Sequence, residues 1–264
     1  MSTNAAQQTQ EVEITLLVCS DNAPRAAQRI AELNVIGPYR LVSRGTRSIS
    51  DTYLDTSDRR VYRHQLSLRV RRVDGETFIT FKGPAEQLPW GGASRLEIEE
   101  PWSEAALQNI LPRLEIQGQA PARMIPIAAA DPLETLADLG LQPIQARENQ
   151  RQVRDLIPQA GPLRAVAELV IDSVTYRFGD TVVRHLEVEI ESKLPGDNSA
   201  LEVASRRLLA DYAPELSVWR YGKLTTGAAV QELLEQGGLA RHIGPGGYLL
   251  PGAYTDIEQL LGRR

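Results

Sequence analysis

The sequence predicts an α+β fold: eight antiparallel strands closing into a β-barrel, with helices inserted among the strands and added after them. Three observations predict it. Short runs alternate strictly between branched apolar and charged residues, as in EVEIT, RLEIEE and HLEVEIES. Turn residues such as Asp74-Gly75 and Gly179-Asp180 stand between consecutive runs. Helical periodicity is confined to a few short segments.

Residues 11–18 form the first strand, and NAPRAAQRIAEL (22–33) a helix whose N-cap is Asp21 or Asn22. VSRGTRSISDTYLDTS carries a strand into a turn, and SLRVRRVDGETFITFKG is a hairpin folded at Asp74-Gly75. LPWGGAS is a loop before the strand RLEIEE. Residues 103–140 are helical in pieces, broken by Pro112, Pro121, Pro126 and Pro132. ARENQRQVRDLI, RAVAELVIDSVTYRFG and DTVVRHLEVEIES supply further strands, and residues 199–213 an amphipathic helix. Residues 1–10 are polar and expected to be disordered, 11–225 form the main domain, and 226–264 a helical C-terminal extension.

Composition excludes several classes. A formal charge of −5 and a pI near 5.4 give no electrostatic case for nucleic acid as partner. Cys19 is the single cysteine, so no internal disulfide forms and a reducing cytoplasm is the expected location. The N-terminus lacks the pattern of a signal peptide, and no apolar run approaches the roughly 20 residues that span a bilayer. No membrane association is expected. The lysines are Lys82, Lys193 and Lys223, against a much larger number of arginines.

Sorted by parity, one strand face carries Glu11 and Glu13; Arg69 and Arg71; Thr80 and Lys82; Arg95, Glu97 and Glu99; Arg147 and Arg151; Glu168 and Asp172; and Glu187, Glu189 and Glu191. The other carries Val12, Ile14, Leu68, Val70, Ile79, Phe81, Leu96, Ile98, Leu186, Val188 and Ile190. An ordinary amphipathic sheet explains any one strand. Taken together, the charged face is too selective for a solvated surface, with glutamate pairs on some strands and arginines or lysine on others. It suits a barrel interior, with the apolar face covered by helices. Glutamates so enclosed gather divalent cations, while the arginines and lysine gather an anion. Oxygen ligands without cysteine or histidine point to Mg²⁺ or Mn²⁺. His64, His185 and His242 are scattered and read as structural or exposed. An anion that meets arginines, a lysine and a carboxylate-bound metal is most economically a polyphosphate.

EVEIT, TYLDTSDRRVYRHQLSLRVRR, FITFKGP, RLEIEE, AELVID and HLEVEIES together resemble the CYTH family, the triphosphate tunnel metalloenzymes, over about residues 11–225. The likeness is greatest to its bacterial inorganic triphosphatases. That resemblance implies an eight-stranded tunnel with metal ligands Glu11, Glu13, Glu97, Glu99, Asp172, Glu187 and Glu189, and Mg²⁺ or Mn²⁺ as cofactor. It implies triphosphate binding by Arg69, Arg71, Lys82, Arg95, Arg147 and Arg151, with Glu11, Glu13, Lys82 and Arg69 central to catalysis. The implied partner is a small-molecule triphosphate, and a homodimer is compatible with the pattern.

Two positions depart from the family pattern. Thr15 stands where the first motif has lysine, and Ser217-Val218 where a Ser-Lys pair is usual. Arg220 and Lys223 are the candidate replacements at the phosphate. The expected activity is triphosphate hydrolysis, with a phosphate-binding protein without turnover and a class IV-type adenylate cyclase as alternatives.

Overall fold

The computed structural model describes residues 8–114, 131–161 and 163–263. Of the tail expected at residues 1–10, residues 1–7 lie outside the described residues, as do Pro121 and Pro126, while residues 8–10 belong to a strand and not to a disordered segment. The strands are β1 (Gln8–Val18), β2 (Val35–Ile36), β3 (Tyr39–Thr56), β4 (Ser67–Val73), β5 (Glu76–Lys82), β6 (Glu86–Gln87), β7 (Ala93–Pro101), β8 (Leu141–Pro158), β9 (Ala167–Phe178), β10 (Thr181–Ser192) and β11 (Leu216–Val218). The helices are α1 (Ala23–Ala31), α2 (Arg60–Arg63), α3 (Glu104–Ile110), α4 (Pro132–Asp138), α5 (Ser199–Tyr212), α6 (Lys223–Glu235) and α7 (Pro251–Leu261).

Eight strands hydrogen-bond in the order β1–β10–β9–β8–β3–β4–β5–β7, and β7 pairs back to β1, so the antiparallel sheet closes in a ring. This is the expected α+β class. The β4–β5 hairpin turns at Asp74 (φ +54°) and Gly75 (φ +84°), the paired left-handed residues that a two-residue turn of this twist requires. β1 begins at Gln8, ahead of the expected start at Glu11, and β3 is extended from Tyr39 onward.

The chain divides into two compact units. The first comprises Met1–Glu11, Ile49–Glu86 and Ser94–Ala146. Its apolar strand face, Leu68, Val70, Ile79, Phe81 and Ile98, is buried beneath Ala106, Leu107 and Ile110 of α3, Leu114, and Leu136 of α4. Full burial of each large aliphatic side chain contributes about 1.5–3 kcal/mol. The covering helices start where the sequence caps them. Ser103 accepts from the Ala106 amide (3.1 Å) ahead of α3. Asp131 accepts from the Leu133 amide (2.7 Å), with Pro132 opening α4.

The second unit comprises Val12–Ser48, Gln87–Ala93 and Arg147–Arg264. Ile14, Leu16, Leu169, Ile171, Val188 and Ile190 face α1 and α5 in one apolar cluster. α1 packs through Ala23, Ala26, Ala27 and Ile30, and Asn22 is its N-cap, accepting from the Arg25 amide. A second cluster joins Leu17 and Val183 to Trp219, α6 and α7. By parity Leu17 lies on the Glu13 face of β1, and Val183 on the Glu187 face of β10. Beyond its charged residues, that face is therefore apolar and covered by the C-terminal helices.

Candidate functional site

In the first unit a charged cluster lies on the strand face opposite α3 and α4, and in the second unit one lies on the face opposite α1 and α5. In the first unit β3, β4, β5 and β7 are neighbours, so residues of like parity line up across them. Arg71 lies opposite Asp51, Arg69 opposite Tyr53 and Lys82 opposite Glu97. Arg71 donates to both oxygens of Asp51, Nε to Oδ1 at 2.8 Å and Nη2 to Oδ2 at 3.0 Å. Arg69 reaches the same carboxylate at 3.4 Å. Both guanidiniums also meet Glu99 Oε2, at 3.3 and 3.4 Å, and Thr80 donates to that oxygen at 2.8 Å. Arg69 Nε is buried and has no hydrogen-bond partner among the described residues.

Glu11 sits between two cations of this unit. Lys82 Nζ lies 3.0 and 2.9 Å from its oxygens, and Arg95 Nε 2.7 Å from Oε2. Burial alone raises the Glu11 carboxyl, but Lys82 and Arg95 outweigh it and hold the group well below the usual carboxylate range. Glu97 shifts the other way. Burial and its neighbour Glu11 push it up despite Lys82 at 3.2 Å. Two carboxylates of one cluster therefore differ in their hold on a proton. Asp51, only 1% exposed, is absent from the residues that the sequence singles out, although it clamps two of the expected arginines. Its strand pattern Asp51-x-Tyr53-x-Asp55 is the available signal. Asp55, equally buried, instead accepts from the Val61 and Tyr62 amides and fixes the start of α2.

In the second unit β8, β9 and β10 bring Arg151, Asp172, Glu187 and Glu189 together, with Arg151 opposite Asp172 and Asp172 opposite Glu187. Arg151 forks onto Asp172 at 2.8 and 2.5 Å and also reaches Glu189 Oε2 at 2.7 Å. Arg147 is buried farther along the same face of β8. Oxygens of Asp172, Glu187 and Glu189 lie within 4.8 Å of one another, a spacing that suits a small divalent cation with oxygen ligands. Glu13 lies opposite Glu191 on β1, half-buried. Glu168 pairs instead with Lys193 (2.8 Å).

Lys223, at the start of α6, points its ammonium into these acids. Nζ lies 2.6 Å from Glu189 Oε1 and 3.0 Å from Asp172 Oδ2, and contacts Glu187 Oε1. Of the two candidate replacements, Lys223 is thus buried on the cluster, whereas Arg220 is exposed. Thr15 lies opposite Glu189, and Ser217-Val218 are exposed on β11. Burial alone lowers the Lys223 ammonium, but Glu187, Glu189 and Asp172 more than reverse this and raise it. Burial alone raises the Glu187 carboxyl, but Lys223 and then His185 hold it at about 2. His185 is fully buried, with Nε2 3.1 Å from Glu187 Oε2. It shares the parity of Glu187 and Glu189, a signal available in HLEVE. His64 is exposed, and His242 lies 3.3 Å from Asp256.

A model of the CYTH domain matches residues 9–212, and the chain belongs to the CYTH family. Among solved structures it resembles HpAC1 from Hippeastrum, named as a candidate adenylyl cyclase and described as having a dominant triphosphatase activity. The two are 17% identical, with 84% of this chain and 96% of that one covered and a TM-score of 0.52. The PH1819 protein of Pyrococcus horikoshii is 19% identical, with coverage of 86% and 99% and a TM-score of 0.48. The Mimivirus capping enzyme triphosphatase is 13% identical, with coverage of 76% and 89% and a TM-score of 0.37. No curated protein sequence matches the chain. Among the described residues no helix is long and apolar enough to cross a membrane.

Proposed function

We propose that the protein hydrolyses a triphosphate, inorganic or organic, with the help of Mg²⁺ or Mn²⁺. One observation carries the reading: Arg69, Arg71, Lys82 and Arg95 share one strand face of the first unit, each held by a carboxylate. Four cations so placed suit an anion with many oxygens, and the buried Arg69 Nε is a donor available to one of them. Arg71 keeps a fixed orientation because Asp51 grips it twice, which favours in-line positioning of a phosphoryl group.

Asp172, Glu187 and Glu189 are the residues that would hold the cation, with Glu13 of β1 added as a proposal from the family pattern. All are hard oxygen donors, and the three clustered ones are charged. A divalent ion bound there supplies charge neutralisation and a more acidic water. The chain's own contribution is electrostatic: Arg69, Arg71, Lys82 and Arg95 bind phosphate oxygens and stabilise charge that develops on transfer.

The test is release of orthophosphate from tripolyphosphate, thiamine triphosphate and nucleoside triphosphates with either metal. Activity on at least one is expected, reduced at least about 100-fold in Arg69→Ala, the size of loss typical for a transition-state donor. No release from any of them overturns the proposal. Cyclic nucleotide with pyrophosphate as products assigns the cyclase reaction instead, and calorimetric binding without release assigns a binding protein.

A further inference from the structure

We propose that Lys223 is a tethered cation with two positions: it rests on the acidic cluster until a divalent ion displaces it, and then binds phosphate. The inference rests on the reading of Asp172, Glu187 and Glu189 as the metal site.

The geometry carries the first half. The Lys223 ammonium touches one oxygen from each of the three acids, Asp172 Oδ2, Glu187 Oε1 and Glu189 Oε1. A small divalent ion coordinated by the same acids needs inner-sphere oxygens about 2.0–2.2 Å away. An ammonium in contact with all three stands where that ion would go. The other oxygens stay occupied without it, since Arg151 holds Asp172 Oδ1 and Glu189 Oε2, and His185 meets Glu187 Oε2. Displacement of Lys223 therefore frees Glu187 Oε1 and Glu189 Oε1, while Asp172 Oδ2 keeps Arg151 Nη2 as a partner at 2.5 Å, so the frame stays intact.

The backbone confines the motion to the side chain. Lys223 O accepts from Tyr176 Oη at 2.7 Å, Trp219 N donates to Thr15 O at 2.9 Å, and Trp219 Nε1 donates to Thr226 Oγ1 at 3.0 Å. What remains free to swing is a four-carbon stem carrying a mobile point charge. Arg151 cannot exchange in this way, because its planar fork is fixed on two acids.

The experiment needs no turnover. Mn²⁺ binding is titrated by electron paramagnetic resonance in the full chain, Lys223→Met and Lys223→Arg, without phosphate. Binding of a non-hydrolysable imidotriphosphate is then measured at saturating Mn²⁺. Loss of one adjacent positive charge is expected to tighten Mn²⁺ about 10-fold or more in Lys223→Met. The same variant is expected to bind the imidotriphosphate about 10-fold more weakly, and Lys223→Arg to stay near the parent on both. A purely structural lysine would not move the two affinities in opposite directions. A measurement on the unaltered chain guards against a variant that fails to fold. Reductive methylation of the three lysines, read by mass spectrometry, is expected to rise at Lys223 when Mn²⁺ is added. Equal Mn²⁺ affinity in all three proteins, or unchanged Lys223 reactivity with Mn²⁺ bound, overturns the proposal and leaves triphosphate hydrolysis standing. Mn²⁺ bound by none of them removes both the proposal and the metal site it rests on.

Discussion

Replacing Asp51 by asparagine tests whether one carboxylate holds the arginine pair. Asp51 is 1% exposed and makes two charge-assisted hydrogen bonds to Arg71 and a longer contact to Arg69. Removing one partner of a buried ion pair costs about 3–5 kcal/mol, because the remaining charge is left in a poor solvent. Asparagine keeps the shape and one acceptor oxygen, and Glu99 still contacts both guanidiniums, so the lower end, about 3 kcal/mol, applies here. Unfolding entropy of about 2.1 cal/mol/K per residue over 264 residues converts that loss to a fall in Tm of about 5 °C. Thermal melts followed by circular dichroism measure it. Added tripolyphosphate should stabilise the variant more than the parent, since the freed guanidiniums gain an anion. A variant that melts within about 1 °C of the parent would show that Asp51 does not hold the arginine pair, given the loss expected for a buried pair.

Acid stability should report the second cluster. The folded Glu187 carboxyl lies at about 2, below its ordinary 4.5, so its stabilisation is complete above about 4.5 and is lost as pH falls through about 2. That difference corresponds to about 3 kcal/mol at neutral pH. Tm plotted against pH should therefore converge for Glu187→Gln and the parent near pH 2, and parallel curves would contradict the linkage. In the core, Leu136→Ala is expected to cost about 2–5 kcal/mol by opening a cavity beneath α4. Leu163→Ala, at a side chain 77% exposed, should stay within about 0.5 kcal/mol, with urea titration measuring both variants.

Alternation makes the ring's two faces legible from the amino-acid order. Arg69 and Arg71, or Glu187 and Glu189, fall on one face whatever the register, because a strand repeats every two residues. The caps are equally local: Asn22 is one of two candidates for α1, and the Asp74-Gly75 turn needs no tertiary information. Asp51 is harder to find, since the run before it, SRGTRSIS, is mostly polar and exposed, and Ile49 alone marks the buried face that Asp51 shares. The direction of Lys223 is beyond strand parity altogether. It starts a helix, and its partners lie more than thirty residues earlier on β9 and β10. His185 is missed for a simpler reason. Three scattered histidines make a poor ligand set, and that question hides the support one of them gives to a neighbouring acid.

The family match ends at Tyr212, yet Lys223 and the helices that cover Leu17 and Val183 all lie after it. Judged column by column, Thr15 records a lost positive charge in the first motif. Judged by neighbourhood, the positive charge stands on Glu189, the residue opposite Thr15, and arrives there from another part of the chain. Electroneutrality in an enclosed site constrains a place in space and leaves open which segment fills it. Relatives that lack the motif lysine are therefore best compared by the residues C-terminal to the matched domain, where the substitute charge can be encoded.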